Sequence, residues 1–256
     1  MSDSPLKVSR EAEGQLLRLT LARPKANIVD AQMIAALDQA LSEHLDDTAL
    51  KAVLLCAEGP HFSFGASVEE HLPEQCAEML SSLHRLILKI FDSRVPVLVA
   101  VRGQCLGGAL EVAAAGHLIF ASPDAMLGQP EIKLAVFAPA ASCLLPIRIG
   151  QVHAEDLLIS GRSVDAAEAH RIGLVSYVDD DPEAAALAYF EEHLAHLSGA
   201  ALSCALVAVR DGISKDVHRR IAEVEALYLD KLMKTADAVE GLNAFIARRP
   251  PEWKNR

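Results

Sequence analysis

The sequence predicts an α/β fold: a mainly parallel sheet covered by helices, followed by a helical C-terminal part. Three observations predict it. Short apolar runs such as "AVLLC" (52–56) and "PVLVAV" (96–101) show no polar alternation, as strands buried on both faces do. Segments with helical spacing lie between such runs. From about residue 139 helical patterns take over.

The elements follow in order. "QLLRLTL" (15–21) alternates, with Leu17, Leu19 and Leu21 on one face and Arg18 and Thr20 on the other, which predicts a half-buried strand. Asp30 is placed to cap a helix in which Met33, Ile34, Leu37, Leu41 and Leu45 recur at helical spacing. The 52–56 run ends at Gly59 and Pro60. Residues 107–115 read as a short buried helix after a glycine pair, and "HLIFAS" (117–122) as another buried strand. A helix starting at Pro182 places Leu187, Phe190, Leu194 and Leu197 on one face. No tandem repeat or low-complexity segment appears. No Pro/Gly/Ser-rich linker separates the α/β core from the helical part, so the two are expected to pack together.

Composition bounds the function. The chain has 256 residues, 51% of them hydrophobic, enough for one large domain or one with a small appendage. Its formal charge is −11. Nucleic acid and anionic membrane repel a chain this acidic, so neither is an expected partner. Arg248, Arg249 and Lys254 still form a local basic spot able to meet a phosphate. The five cysteines (Cys56, Cys76, Cys105, Cys143, Cys204) include no CxxC pair and read as reduced thiols. The first residues lack the apolar core of a signal peptide, and no apolar stretch reaches the roughly 20 residues that span a bilayer. A cytoplasmic protein is expected.

One stretch asks for an explanation. Between Arg102 and Asp124 the only formally charged side chain is Glu111, inside "CLGGALEVAAAGHLIF" (105–120). A carboxylate is expensive to bury in such surroundings. If Gly107 and Gly108 open a helix, Glu111 sits one turn in, near exposed N–H groups that offset part of that cost. The alternative is a solvent-facing position, or pairing with Arg102 or His117. Glu131, just after Pro130 in "MLGQPEIKLAVFAP" (126–139), is a second such carboxylate; its alternative is an ion pair with Lys133. His61, His117 and Cys105 show no metal-ligand spacing, so no metal is expected.

Five stretches in order resemble the crotonase superfamily, the enoyl-CoA hydratase/isomerase family. Phe62-Ser63-Phe64-Gly65-Ala66-Ser67 resembles its Phe-x-x-Gly-Ala-Asp stretch, with Ser67 in place of Asp. Val101 through Glu111 resembles Val-Asn-Gly-x-x-x-Gly-Gly-Gly-x-Glu, with Arg102 for Asn and Ala109 for the third Gly. Gly128-Gln129-Pro130-Glu131 resembles Gly-x-Pro-Glu. "GRSVDAAEAHRIGLV" (161–175) and the tail "EGLNAFIARRPPEW" complete the series, so the resemblance runs from about residue 15 to the C-terminus.

The resemblance implies a ββα spiral core, taken as residues 1–195, and a helical region, 196–256, that forms trimers, often paired into hexamers. It implies acyl-CoA substrates, with coenzyme A part of the substrate and no separate cofactor. It assigns the oxyanion hole to the backbone N–H groups of Ala66 and Gly108, and catalysis to Glu111 and Glu131. It assigns CoA contacts to Lys25, Phe64, Ala66, Val68, Gly107, Phe245 and Arg248, and the acyl pocket to Ala135, Val136 and Phe137. For Phe245 and Arg248, a core aromatic and a solvated cation are the alternatives.

Departures locate the branch. "ANIVD" (26–30) and "APAASCLLP" (138–146) differ from the ordinary hydratase pattern, and the second implies an altered acyl pocket. "RPKANIVDAQM", "FSFGASVEEHLP" and "GQPEIKLAVFAPAAS" together resemble the branch that hydrates cyclohexa-1,5-diene-1-carbonyl-CoA to 6-hydroxycyclohex-1-ene-1-carbonyl-CoA in anaerobic benzoyl-CoA degradation. Generic short-chain enoyl-CoA hydration, isomerisation, thioester hydrolysis, and a non-catalytic or RNA-binding member of the fold remain as alternatives at this point.

Overall fold

The computed structural model describes residues 4–256. Its main sheet has six strands in the order β1-β2-β3-β4-β6-β9. These are β1 (Leu6–Glu11), β2 (Leu16–Leu21), β3 (Ala52–Ala57), β4 (Val97–Val101), β6 (Leu118–Ala121) and β9 (Tyr177–Val178). β1 and β2 form an antiparallel hairpin, and every other pair in this sheet is parallel. A second sheet holds β5 (Gln104–Leu106), β7 (Met126–Gly128) and β8 (Ser163–Asp165). This is the α/β core that the apolar runs predict.

Both faces of the main sheet are covered. Leu17, Leu19, Leu21, Val53, Leu55, Val97, Val99 and Val101 face one core. That core is closed by α1 (Ala31–His44), α2 (Cys76–Phe91) and α3 (Gly108–Ala115). Asp30 caps α1, accepting the Met33 N–H at 2.9 Å. The alternate residues Leu16, Ala52, Leu54, Leu98, Ala100 and Phe120 meet Ala186, Phe190 and Leu194 of the α6 side. α6 (Pro182–His193) ends before Leu197, which lies past the last turn and is exposed rather than on the buried face. Arg18 is not a solvated strand residue either. It pairs with Glu11 at 2.6 Å and with Glu183 of α6 at 2.9 Å, joining sheet and helix.

All eight residues of α3 are buried, Glu111 among them. Its C-terminal carbonyls therefore need partners. Arg148 Nε donates to Ala114 O at 2.5 Å, and Arg210 donates to Gly116 O at 2.9 Å and to Ala115 O at 3.2 Å. Two cations stand at the negative end of the helix. They come from α4 (Pro139–Ser160, broken at Gly150) and α7 (Gly199–Asp230), so the C-terminal helices lock the helix that carries Glu111. α5 (Ala166–Arg171) and α8 (Ala236–Ile246) complete the helices. α8 packs on the 3₁₀ turn Pro130–Leu134. Among the described residues no helix is long and apolar enough to cross a membrane.

Phe190 is 1% exposed and is one of the largest side chains closing the second core. Phe190→Ala is expected to cost about 3–5 kcal/mol of unfolding free energy. Urea denaturation of the variant against the parent checks this.

Candidate active site

The site is built from backbone first. The 62–66 loop runs beside β5: Phe62 N–H donates to Arg102 O at 2.8 Å, Ser63 N–H to Gln104 O at 3.0 Å, and Leu106 N–H to Ser63 O at 3.1 Å. Gly65 has φ +108°, and a Cβ there would stand 2.9 Å from the Leu106 carbonyl oxygen. Only glycine allows this approach. A Cβ on Gly108 would stand 3.3 Å from the Ala66 nitrogen, so the Ala66 and Gly108 amides lie side by side. Among the described residues neither N–H donates a hydrogen bond. Gly108 opens α3, where amides have no intrahelical acceptor. The two donors predicted from the sequence are therefore adjacent and unused.

Glu111, in the first turn of α3, is 3% exposed. Its Oε1 accepts the Ala141 N–H at 2.8 Å, and the Ala140 N–H is the next amide in the same turn. These amides belong to the first turn of α4, whose own N-cap, Ala138, has no capping side chain. Glu111 thus takes the place of a cap from a different helix. Burial pushes its carboxyl above the usual range; the charge of His84 and the two amides pull it back. Neither alternative partner reaches it. Arg102 pairs with Asp181 at 2.5 Å, and His117 Nδ1 accepts the Val97 N–H at 2.9 Å.

Glu131 lies in the 3₁₀ turn Pro130–Leu134 and is partly exposed. It faces Gly107 and Gln129 rather than Lys133: a Cβ on Gly107 would stand 2.6 Å from its Oε1. Gln129 is 1% exposed. With its amide nitrogen turned to donate, that nitrogen lies 3.1 Å from each Glu131 oxygen and 3.3 Å from the Gly107 carbonyl. Burial, then the charge of Glu111, pushes the Glu131 carboxyl up to about 8. Each carboxyl group thus stands within electrostatic reach of the other.

The expected acyl-pocket residues continue from this turn. Ala135 has φ +55°, Val136 is buried, and Phe137 packs edge-on to Tyr228 with ring centroids 5.2 Å apart. One segment, 128–141, therefore supplies Glu131, the three residues expected to line an acyl pocket and the backbone that meets Glu111. Among the expected CoA contacts, Lys25 and Phe64 are exposed and Ala66 and Val68 half-buried. Their loops are joined: Phe64 N–H donates to Ala26 O at 3.0 Å and Val29 N–H to Gly65 O at 2.9 Å. Phe245 is 56% exposed, which removes the core-aromatic alternative, and Arg248 is exposed just beyond α8. No described hydrogen bond ties either to the 64–68 loop.

Five features escaped the sequence reading. Asn27 is fully buried and staples the loop: its side chain accepts the Arg23 N–H at 2.9 Å and donates to Glu58 O at 2.9 Å and His61 O at 3.1 Å. The others are Gln129, His84, Tyr228 and the Ala140/Ala141 amides. An Asn and a Gln inside otherwise apolar or turn-forming motifs were available signals; backbone amides leave none.

The whole-chain comparisons agree with this geometry. The family model described as Enoyl-CoA hydratase/isomerase matches residues 11–256. The chain belongs to the enoyl-CoA hydratase/isomerase family. It is 64% identical over 255 residues, covering 100% of this chain and 99% of the relative, to a cyclohexa-1,5-dienecarbonyl-CoA hydratase of Thauera aromatica. It is 33% identical to a probable enoyl-CoA hydratase of Rhizobium meliloti (strain 1021), covering 96% of this chain and 97% of the relative. A crystal structure of an enoyl-CoA hydratase/isomerase from Pseudoalteromonas atlantica T6c superposes with a TM-score of 0.86 at 29% identity, covering 97% of this chain and 99% of that one. The spiral ββα core and helical C-terminal region expected from the motifs are those of this family.

The raised Glu131 carboxyl carries a stability consequence. Its proton is bound more tightly in the folded chain than in the unfolded one, so folding is favoured below about 4.5 and that benefit is lost as pH rises toward about 8. Glu131→Gln, which cannot ionise, is expected to gain stability relative to the parent as pH rises through this window. Urea midpoints of both proteins across the window check the sign.

Proposed function

We propose that this family member adds water to cyclohexa-1,5-diene-1-carbonyl-CoA, giving 6-hydroxycyclohex-1-ene-1-carbonyl-CoA. The observation that carries the mechanism is the convergence of two carboxyl groups, Glu111 buried and Glu131 partly exposed, beside a pair of unused backbone amides. The 64% identity to the Thauera aromatica protein over the full chain supports the choice of substrate.

The thioester oxygen is the place where charge must go. Hydroxide adding to the ring carbon β to the thioester pushes an electron pair through the conjugated system onto that oxygen. The Ala66 and Gly108 amides receive it, and removal of one such donor in comparable sites costs about 3 kcal/mol. The resulting dienolate then takes a proton at the far end of the second double bond. The hydroxyl and the new hydrogen therefore sit on opposite sides of the ring, and the remaining double bond stays conjugated to the thioester. Direct addition across the second double bond alone would put no charge on the thioester oxygen and would leave the two amides unused.

One group must take a proton from water and another must deliver one to carbon. Glu111, held by the Ala141 amide at a helix N-terminus, is the better anion and takes the water proton. Glu131, pushed up to about 8, keeps its proton at neutral pH and delivers it. Coenzyme A enters as part of the substrate, and this chemistry asks for no other cofactor. Lys25, Phe64, Val68 and Gly107 line its path, with Phe245 and Arg248 exposed on the C-terminal region to meet the nucleotide. We take residues 1–195 as the catalytic core and 196–256 as the part through which a homotrimer, or a pair of trimers, assembles in the cytoplasm.

Purified protein given the cyclic dienoyl-CoA is expected to add one water, read by mass spectrometry, and to act weakly on crotonyl-CoA. Glu111→Gln and Glu131→Gln are each expected to lose about 10²–10⁴-fold in kcat. The rate of the parent is expected to fall as pH rises past about 8, when Glu131 gives up its proton. Turnover of crotonyl-CoA with none of the cyclic diene contradicts the substrate assignment.

A further inference from the structure

One buried hydroxyl beside the expected acyl pocket has no partner. Tyr228, on α7, is 0% exposed and is one of the largest fully buried side chains. Its Oη is buried, and among the described residues nothing hydrogen-bonds to it. Buried polar groups are almost always paired, because an unpaired one gives up its hydration with no return. A phenylalanine would fill the same space without that cost. Packing alone therefore does not explain the hydroxyl.

Two contacts place Tyr228 against the site. Along α7 the buried residues are Val217, Ile221 and Tyr228, so a narrow stripe of this long helix faces the core. Arg220 Nη2 donates to Ser142 O at 3.3 Å, which docks α7 on the first turn of α4, the turn that meets Glu111. About two turns further along α7, the Tyr228 ring meets Phe137 edge-on, with ring centroids 5.2 Å apart. Phe137 lies in the chain between Glu131 and the Ala141 amide, and it is half-buried. Burial first, then Cys76, Glu131 and Glu111, push the Tyr228 phenol above its ordinary value, so it keeps an O–H to donate at neutral pH.

We propose that Tyr228 is a specificity-determining residue whose hydroxyl hydrogen-bonds the oxygen that hydration adds to the substrate ring, once the substrate ring displaces Phe137 from the phenol. The proposal rests on the reading of the reaction as hydration of a cyclic dienoyl-CoA. The chemistry of the ligand fits a single waiting donor. The ring of the diene is hydrocarbon and offers Oη nothing. The oxygen of the attacking water, which becomes the hydroxyl of the product, offers an acceptor. The thioester oxygen is served by the Ala66 and Gly108 amides and does not need the phenol. An acyl ring without the added oxygen leaves Oη unpaired, as it is in the free protein.

The test compares the full-length parent with Tyr228→Phe. For hydration of cyclohexa-1,5-diene-1-carbonyl-CoA, kcat/KM is expected to fall about three- to tenfold, the fold-change that one neutral hydrogen bond carries. The inhibition constant of cyclohexanecarbonyl-CoA, whose ring has neither a double bond nor an oxygen, is expected to stay at the parental value. The urea midpoint is expected not to fall, because the lost hydroxyl has no protein partner. A parental kcat/KM in Tyr228→Phe overturns the proposal. So does an inhibition constant that rises in step with the loss of kcat/KM, which is the mark of a pocket deformed by the substitution, and so does a lower urea midpoint, which exposes a structural partner. A parent that fails to hydrate the cyclic diene sinks the functional reading itself, and the role of Tyr228 falls with it.

Discussion

The carboxylate of Glu111 at the N-terminus of α4 is the interaction on which the site depends. It joins two successive helices across 30 residues of chain. α3 brings the acid; α4 brings two amides with no cap of their own. Each has an unmet requirement that the other satisfies: a buried anion lacks solvation, and a buried helix start lacks acceptors. The Ala140–Ala141 turn can be small and apolar because its N–H groups do the binding.

The same economy explains the glycines. Gly65 and Gly108 let the Ala66 and Gly108 amides come side by side, and Gly107 lets Glu131 approach the backbone that opens α3. Side chains here would fill the space that the proposed reaction assigns to the thioester. The remaining charge is controlled from outside this shell. Arg148 and Arg210 close the far end of α3, and Gln129 fixes the orientation of Glu131. The two carboxyl groups then differ because their surroundings differ. One accepts an N–H group from a helix terminus, and the other has burial and a neighbouring anion against its ionisation. In the proposed hydration, two identical side chains would serve as its base and its acid.

Much of this could be read from the chain. The apolar runs at 52–56 and 96–101 gave parallel strands because strands buried on both faces admit no polar positions. Asp30 and Pro182 marked helix starts through local chemistry. Glu111 and Glu131 stood out because a carboxylate among apolar residues needs a reason. What escaped the reading has one physical cause: it lies in partners distant in sequence. Nothing in "APAAS" says that its amides meet Glu111, and Glu225 is 141 residues from His84. Leu197 misled for the opposite reason, since its spacing fitted a helix that ends at His193.

The proposed division of labour has Glu111 acting as the base and Glu131 holding a proton near neutral pH. Infrared difference spectroscopy of the carboxyl stretch in the ligand-free protein tests it directly. The expected result is a protonated-carboxyl band near neutral pH that disappears in Glu131→Gln and persists in Glu111→Gln. A band that persists in Glu131→Gln and is lost in Glu111→Gln would contradict it.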